Sequence, residues 1–158
     1  MNKQHGKRTH SKDRIVLIGQ APSKRGDPAK PLEGKLIVSR LAGICGIDKE
    51  QYMAATERYN VLRRWPGKNG KGDRFPMRQA RRSARRLALR FGGRRVVLLG
   101  RSVAKAFGLT IEYLKWANIG FTVAVVPHPS GINRWWNGAR NKAAARRFME
   151  DAWGAGRK

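Results

Sequence analysis

The chain is poor in cysteine, in histidine and in acid, and each shortage excludes something. A single cysteine, Cys45, rules out an internal disulfide and any multi-cysteine zinc or iron–sulfur centre. It fits a reducing, intracellular setting, cytoplasmic or nucleoid-associated. No apolar run reaches membrane-spanning length, and Met1 to Asp13 lack the apolar centre of a signal peptide. No membrane partner, metal or cofactor is expected, and a monomer is. Of three histidines, His5 and His10 lie near the start and only His128 stands further in.

The shortage of acid is the largest signal. Ten Asp and Glu face 35 Lys and Arg, a formal net charge of +25. Such an excess repels itself in a folded chain, so a polyanion is expected to share in holding it compact. Nucleic acid is the natural partner. A membrane-surface protein would confine its cations to one amphipathic segment, whereas here they are spread throughout. A ribosome-associated or RNA-binding domain remains an alternative.

Hydrophobic residues make up 41% of the 158, enough for one globular domain. Residues 1–13 read as a flexible basic arm, 14–153 as the domain and 154–158 as a tail. Buried-strand runs are Arg14 to Gly19, Glu57 to Leu62, Arg95 to Gly100 and Phe121 to Val126. Between them, Leu36, Ile37, Arg40, Leu41 and Ile44 fall at helical spacing, and Gly43 and Gly46 close that segment. Asp48 can cap a short helix reaching Ala55. Pro76 opens a helix whose stripe is Met77, Ala80, Ala84, Leu87, Ala88 and Phe91. Its other face is Arg78, Arg81, Arg82, Arg85, Arg86 and Arg90, with no acid among them. That face is either a phosphate-binding surface, with Arg78, Arg82 and Arg85 as leading contacts, or a solvated helix face. Ser102 to Phe107 and a segment from Asn137 or Gly138 to Trp153 complete the helices. The alternation predicts an α/β fold: a four-stranded, mostly parallel sheet with helices on both faces, an α/β/α sandwich.

In such sheets ligands bind at the carboxyl ends of strands. Unusual chemistry leaves those ends at Gly19-Gln20-Ala21-Pro22-Ser23, at Asn60 and at Pro127-His128-Pro129-Ser130. An Asn amide offers one acceptor and two donors, which matches a nucleobase edge or satisfies buried backbone. His128 between two prolines is a candidate catalytic group or a strand cap. Trp135 and Trp136 are either core anchors or a wedge for a duplex.

Taken in order, these segments resemble the uracil-DNA glycosylase superfamily over about residues 14–150. Gly19 to Pro22 is similar to its first motif and His128-Pro129-Ser130 to its last. Tyr59-Asn60-Val61-Leu62 looks like the strand bearing the base-reading Asn. Val97 to Ala104, with Arg101 and Ser102, looks like the strand–Gly–helix unit preceding the last motif. The resemblance implies a DNA glycosylase-like protein that flips a uracil-like, damaged or modified base and hydrolyses its N-glycosidic bond, acting on single- or double-stranded DNA. It implies that His128 stabilises the leaving base anion, and that Gly19, Ala21, Pro22 and Asn60 hold the base. Ser130, Asn133, Arg134, Trp135, Arg101 and Ser102 would contact DNA.

The first motif departs from the family. Gln20 and Ala21 stand where an Asp, Glu or Asn usually positions the attacking water, and neither is a base. Gln20 can orient a water, and Asp27 can contribute if its loop folds back. The stretch usually carrying a stacking aromatic offers aliphatic residues instead, Leu36 among them. Asn133 follows His-Pro-Ser after two residues, as in a branch with broad base tolerance. These departures fit a divergent, phage-type member, or a non-catalytic DNA-binding protein that keeps the glycosylase fold.

Overall fold

The computed structural model describes residues 13–110, 112–130 and 133–154; most of the basic arm and the tail lie outside them. Strand β1 (Ile15–Gly19) is followed by helices α1 (Lys35–Cys45) and α2 (Lys49–Ala55), then β2 (Thr56–Asn60). A short hairpin, β3 (Lys68–Asn69) with β4 (Gly72–Asp73), leads to α3 (Met77–Ala88), β5 (Arg95–Leu99) and α4 (Arg101–Ala106). Then come β6 (Ala117–Asn118), β7 (Thr122–Val126), a 3-10 turn (Arg134–Asn137) and α5 (Ala139–Gly154).

The main sheet has the order β2-β1-β5-β7-β6, parallel except for the edge strand β6. It has five strands where the sequence pattern predicted four. The fifth pairs only through Ala117 and Asn118, too short to leave a periodic signal.

The unbroken apolar runs are explained by burial on both faces. Ile15 and Leu17 of β1 point to the layer of α1, α2 and α5, while Val16 and Ile18 point to that of α3 and α4. Each such side chain contributes about 1.5–3 kcal/mol. The α1 stripe differs from the predicted one. Val38, Leu41, Ala42 and Cys45 are buried, whereas Leu36 is 75% exposed. Helix α2 has the expected Asp48 cap, completed by a Gln51 side chain that accepts from the Asp48 amide at 3.0 Å. In α3, Ala80 and Ala84 are buried and its five arginines are exposed, as is Arg90 in the turn that follows.

The chain leaves β1 for β2 on one side, then crosses back over β1 to β5 on the other. That reversal opens a crevice at the carboxyl ends of β1 and β5, where parallel α/β sheets bind ligands.

Candidate functional site

The four parallel strands end side by side, and the residues at those ends form the site. Across the sheet they are Asn60, Gly19, Gly100 and then the segment from Pro127 to Ser130. Three strand spacings of about 4.8 Å separate the outer pair, roughly 14 Å in all. Strand β1 finishes in Gly19 and β5 is followed directly by Gly100, so neither inner strand adds a side chain of its own at these positions.

Both glycines are required by what lies against them. Asn60 pairs in register with Gly19. A β-carbon on Gly19 would stand 2.8 Å from Asn60 Oδ1 and 2.7 Å from Leu32 Cδ2. Gly100 has φ +98°, which a side-chain-bearing residue rarely adopts, and a β-carbon there would lie 3.0 Å from that of His128. The loops after β1 and β2 are tied together: Val61 N–H donates to the Gly19 carbonyl at 3.0 Å and Leu62 N–H to that of Gln20 at 2.8 Å.

Asn60 Oδ1 is buried and has no hydrogen-bond partner among the described residues. A satisfied structural amide would not be left so. Its end of the crevice carries a cleft of about 240 Å³, lined by Pro28, Pro31, Tyr59, Leu62 and the arginines Arg63, Arg86 and Arg90.

At the other end the backbone of His128 is clamped. Its carbonyl accepts from Asn133 Nδ2 at 3.1 Å and from Trp136 Nε1 at 2.9 Å. Arg40 of α1 reaches the next carbonyl, that of Pro129, at 3.3 Å. Burial pushes the imidazole below its ordinary value, and the Arg40 charge pushes the same way. His128 is therefore neutral near pH 7, a donor at one ring nitrogen and an acceptor at the other. A larger cleft of about 610 Å³ lies beyond it, walled by Arg40, Pro129, Ser130, Trp136, Lys142 and Arg146.

The other expected residues are distributed as follows. Gln20 and Ala21 are half-buried and Pro22 is buried at the end of β1. Asp27 is exposed and accepts from the Ala29 amide at 2.9 Å, closing its own turn. The carboxylate whose charge does act on His128 is Asp73, at the end of the β3–β4 hairpin, where it also accepts from Trp65 Nε1 at 3.1 Å. Its signal in the sequence is faint: it is the lone acid in Lys68 to Arg74. Leu36 is solvent-exposed on the first turn of α1, and Leu32 is the aliphatic residue that covers Gly19. Leu32 has φ +57° and is held by Tyr52 Oη, which donates to its carbonyl at 3.1 Å.

Asn133 has a structural role in the loop, capping the 3-10 turn through the Trp135 amide while holding His128. Trp135 packs edge-on against Trp136 and Tyr113 and is half-buried, so both tryptophans brace the loop. Ser130 and Ser102 are half-buried, and Arg134 is exposed. Arg101 is also exposed, donating to Tyr113 Oη at 3.0 Å.

The fold is a doubly wound α/β domain with a strong excess of basic charge, and domains of this kind bind ligands at their strand ends. The chain matches the family model described as Uracil DNA glycosylase superfamily over residues 7–153, and it belongs to that superfamily. No curated protein gives a significant match. Membership supports a glycosylase-like function in general and DNA as the partner. Among the described residues, no group of three or more His, Cys, Asp or Glu could hold a metal, and no helix is long and apolar enough to cross a membrane.

Proposed function

We propose that the protein takes a uracil-like, damaged or modified base out of DNA and hydrolyses its N-glycosidic bond. The observation that carries this reading is the buried Asn60 Oδ1 beside Gly19, without a hydrogen-bond partner among the described residues, with a neutral, clamped His128 at the other end of the crevice. An unpaired base is costly to bury unless its edge is met, and Asn60 supplies a donor and an acceptor for that edge. As the bond breaks, negative charge collects on the base. A hydrogen bond from neutral His128 to a base oxygen stabilises that charge without first giving up a proton. Gln20, half-buried at the end of β1, orients the attacking water. Ser130, Arg134 and Arg101 grip the flanking phosphates.

The test is incubation with single- and double-stranded oligonucleotides carrying uracil, hypoxanthine or 5-hydroxymethyluracil, followed by alkaline cleavage. Strand breaks that disappear in His128→Ala and Asn60→Ala support the reading; no breaks on any substrate overturn it. A second reading is favoured by Gln20-Ala21, which puts no carboxylate in the first motif. The crevice would then grip DNA without cutting. It predicts salt-sensitive binding to undamaged DNA and no base release.

A further inference from the structure

The outer face of α3 carries arginine and no acid. Arg78, Arg81, Arg82, Arg85, Arg86 and Arg90 are all exposed. No Asp or Glu occurs between Asp73 and Glu112. Among the described residues the ion pairs are Arg58–Glu33, Arg94–Glu57, Lys115–Glu112 and Arg146–Glu150, and none uses an α3 arginine. A face kept only for solubility would interleave acids, because same-sign pairs at i,i+4 repel and opposite-sign pairs attract. Here Arg78–Arg82, Arg81–Arg85 and Arg82–Arg86 all have that spacing within the helix.

The helix dipole does not account for the arrangement either. It favours Arg85 and Arg86 in the last turn, but it disfavours Arg78 in the first turn, which holds no acid. The residues are also all arginine. Its planar fork suits phosphate, and it gives up less hydration than lysine on contact. Arg78, Arg82 and Arg86 form one row with a cation about every 6 Å, Arg81 and Arg85 stand beside it, and Arg90 lies in the turn that follows the helix. Leu89 is the only large apolar side chain exposed among them, so a membrane has little to anchor on.

Arg86 and Arg90, which line the cleft beside Asn60, are where this face adjoins the crevice, and the rest of it leads away along the flank of the domain. Strand β5 starts at Arg95, soon after α3 ends, and runs parallel to β1. Helix α3 therefore descends from the crevice end of the sheet towards the opposite end, over about 18 Å. DNA seated across the strand ends cannot also follow the length of α3 on the flank of the domain.

We propose that α3 is a second nucleic-acid surface, which binds the phosphate backbone of a separate segment while the crevice holds the first. The protein then bridges two stretches of nucleic acid. This does not depend on whether the crevice cuts.

The experiment immobilises an undamaged duplex, saturates it with the full chain at low salt, and measures capture of a second, labelled duplex. Wild type and His128→Ala are expected to capture it. The variant Arg78→Gln/Arg81→Gln/Arg82→Gln/Arg85→Gln is expected to stay on the first duplex and lose capture. The log–log salt slope of second-duplex binding falls by about 0.9 for each phosphate contact removed. Arg86 and Arg90 are left in place because they also line the cleft beside Asn60. The double variant Arg81→Gln/Arg85→Gln, expected to show an intermediate loss, repeats the test if the fourfold one does not fold. Three results would overturn the proposal: no capture by wild type, equal capture by the variants, or complete loss of first-duplex binding in the variants. Polyglutamate competing as well as DNA of equal charge would also overturn it, since the surface would then take any polyanion. Capture without base release on any substrate would sink the proposed activity and leave this inference standing.

Discussion

Asn60 Oδ1 lies 2.8 Å from the point that a β-carbon on Gly19 would occupy. The two residues are paired in register on neighbouring parallel strands, and the amide shares the space over the glycine with the Leu32 side chain. Gly19→Ala puts a methyl group into that space. Leu32 Cδ2, the other close atom, belongs to a flexible side chain and can yield. The Asn60 amide has β2 behind it and must rotate or lift away. The expected cost is about 1–3 kcal/mol of stability, typical of overpacking, with a loss of base release. Chemical denaturation and the base-release assay read the two effects. Wild-type behaviour in both would mean that Asn60 is free to move and that its placement does not matter.

The His128 carbonyl accepts from both Asn133 and Trp136, and the two donors differ in what else they do. Trp136→Phe removes one hydrogen bond and keeps most of the ring, with an expected loss of about 0.5–1.5 kcal/mol. Asn133→Ala removes a bond to the same carbonyl and the cap on the Trp135 amide, adding about 1 kcal/mol for the cap. Asn133→Ala is therefore expected to be the more destabilising in urea titrations. The reverse order would show that ring packing of Trp136 outweighs the clamp.

Two charges of opposite sign act on His128 from different elements: Arg40 lowers its pKa and Asp73 raises it. Arg40→Gln is then expected to move the imidazole titration up and Asp73→Asn to move it down, in NMR of the ring protons. Burial is the larger cause, so both variants keep His128 below its ordinary value. No movement in Asp73→Asn would place the β3–β4 hairpin out of electrostatic reach in solution.

Much of this could be read from the residues because buried parallel strands and a small-residue helix leave strong local patterns. The β1 run and the Ala80–Ala84 stripe are of that kind, and their burial follows the expected faces. The α1 stripe was shifted, because Leu36 looks apolar wherever it points, whereas Ile37, Leu41 and Ile44 do pack on the core. What packs against α1 comes from α5, far along the chain. The Asn60 and His128 ends were legible from their place after strands. The contacts that tune them were not. Leu32 over Gly19, Arg40 on the Pro129 carbonyl and Asp73 near His128 all join loops or elements distant in sequence. No local period marks such residues. Asn133 was expected at the DNA and Trp136 as either a core anchor or a wedge, and in the structure both side chains hold the His128 carbonyl.

The half-buried imidazole of His128 makes stability depend on pH in a defined direction. Burial first, then Arg40, holds the folded-state pKa of His128 below its ordinary value. The unfolded chain therefore binds this proton more readily than the folded one, and stability rises with pH across the interval between the two values. Above the ordinary value near 6.5 both states are neutral here, and the group costs nothing. As pH falls through that value towards the lower folded one, the unfolded state is favoured. Thermal midpoints of wild type are expected to fall between pH 7 and pH 5 by more than those of His128→Asn, which lacks the titrating ring. Comparing the two proteins cancels His5, His10 and every carboxylate, since both carry them. Parallel curves would mean that His128 keeps its ordinary pKa in the fold. The crevice would then offer a protonated imidazole at mildly acid pH, and the neutral-donor role proposed for His128 would have to be abandoned there.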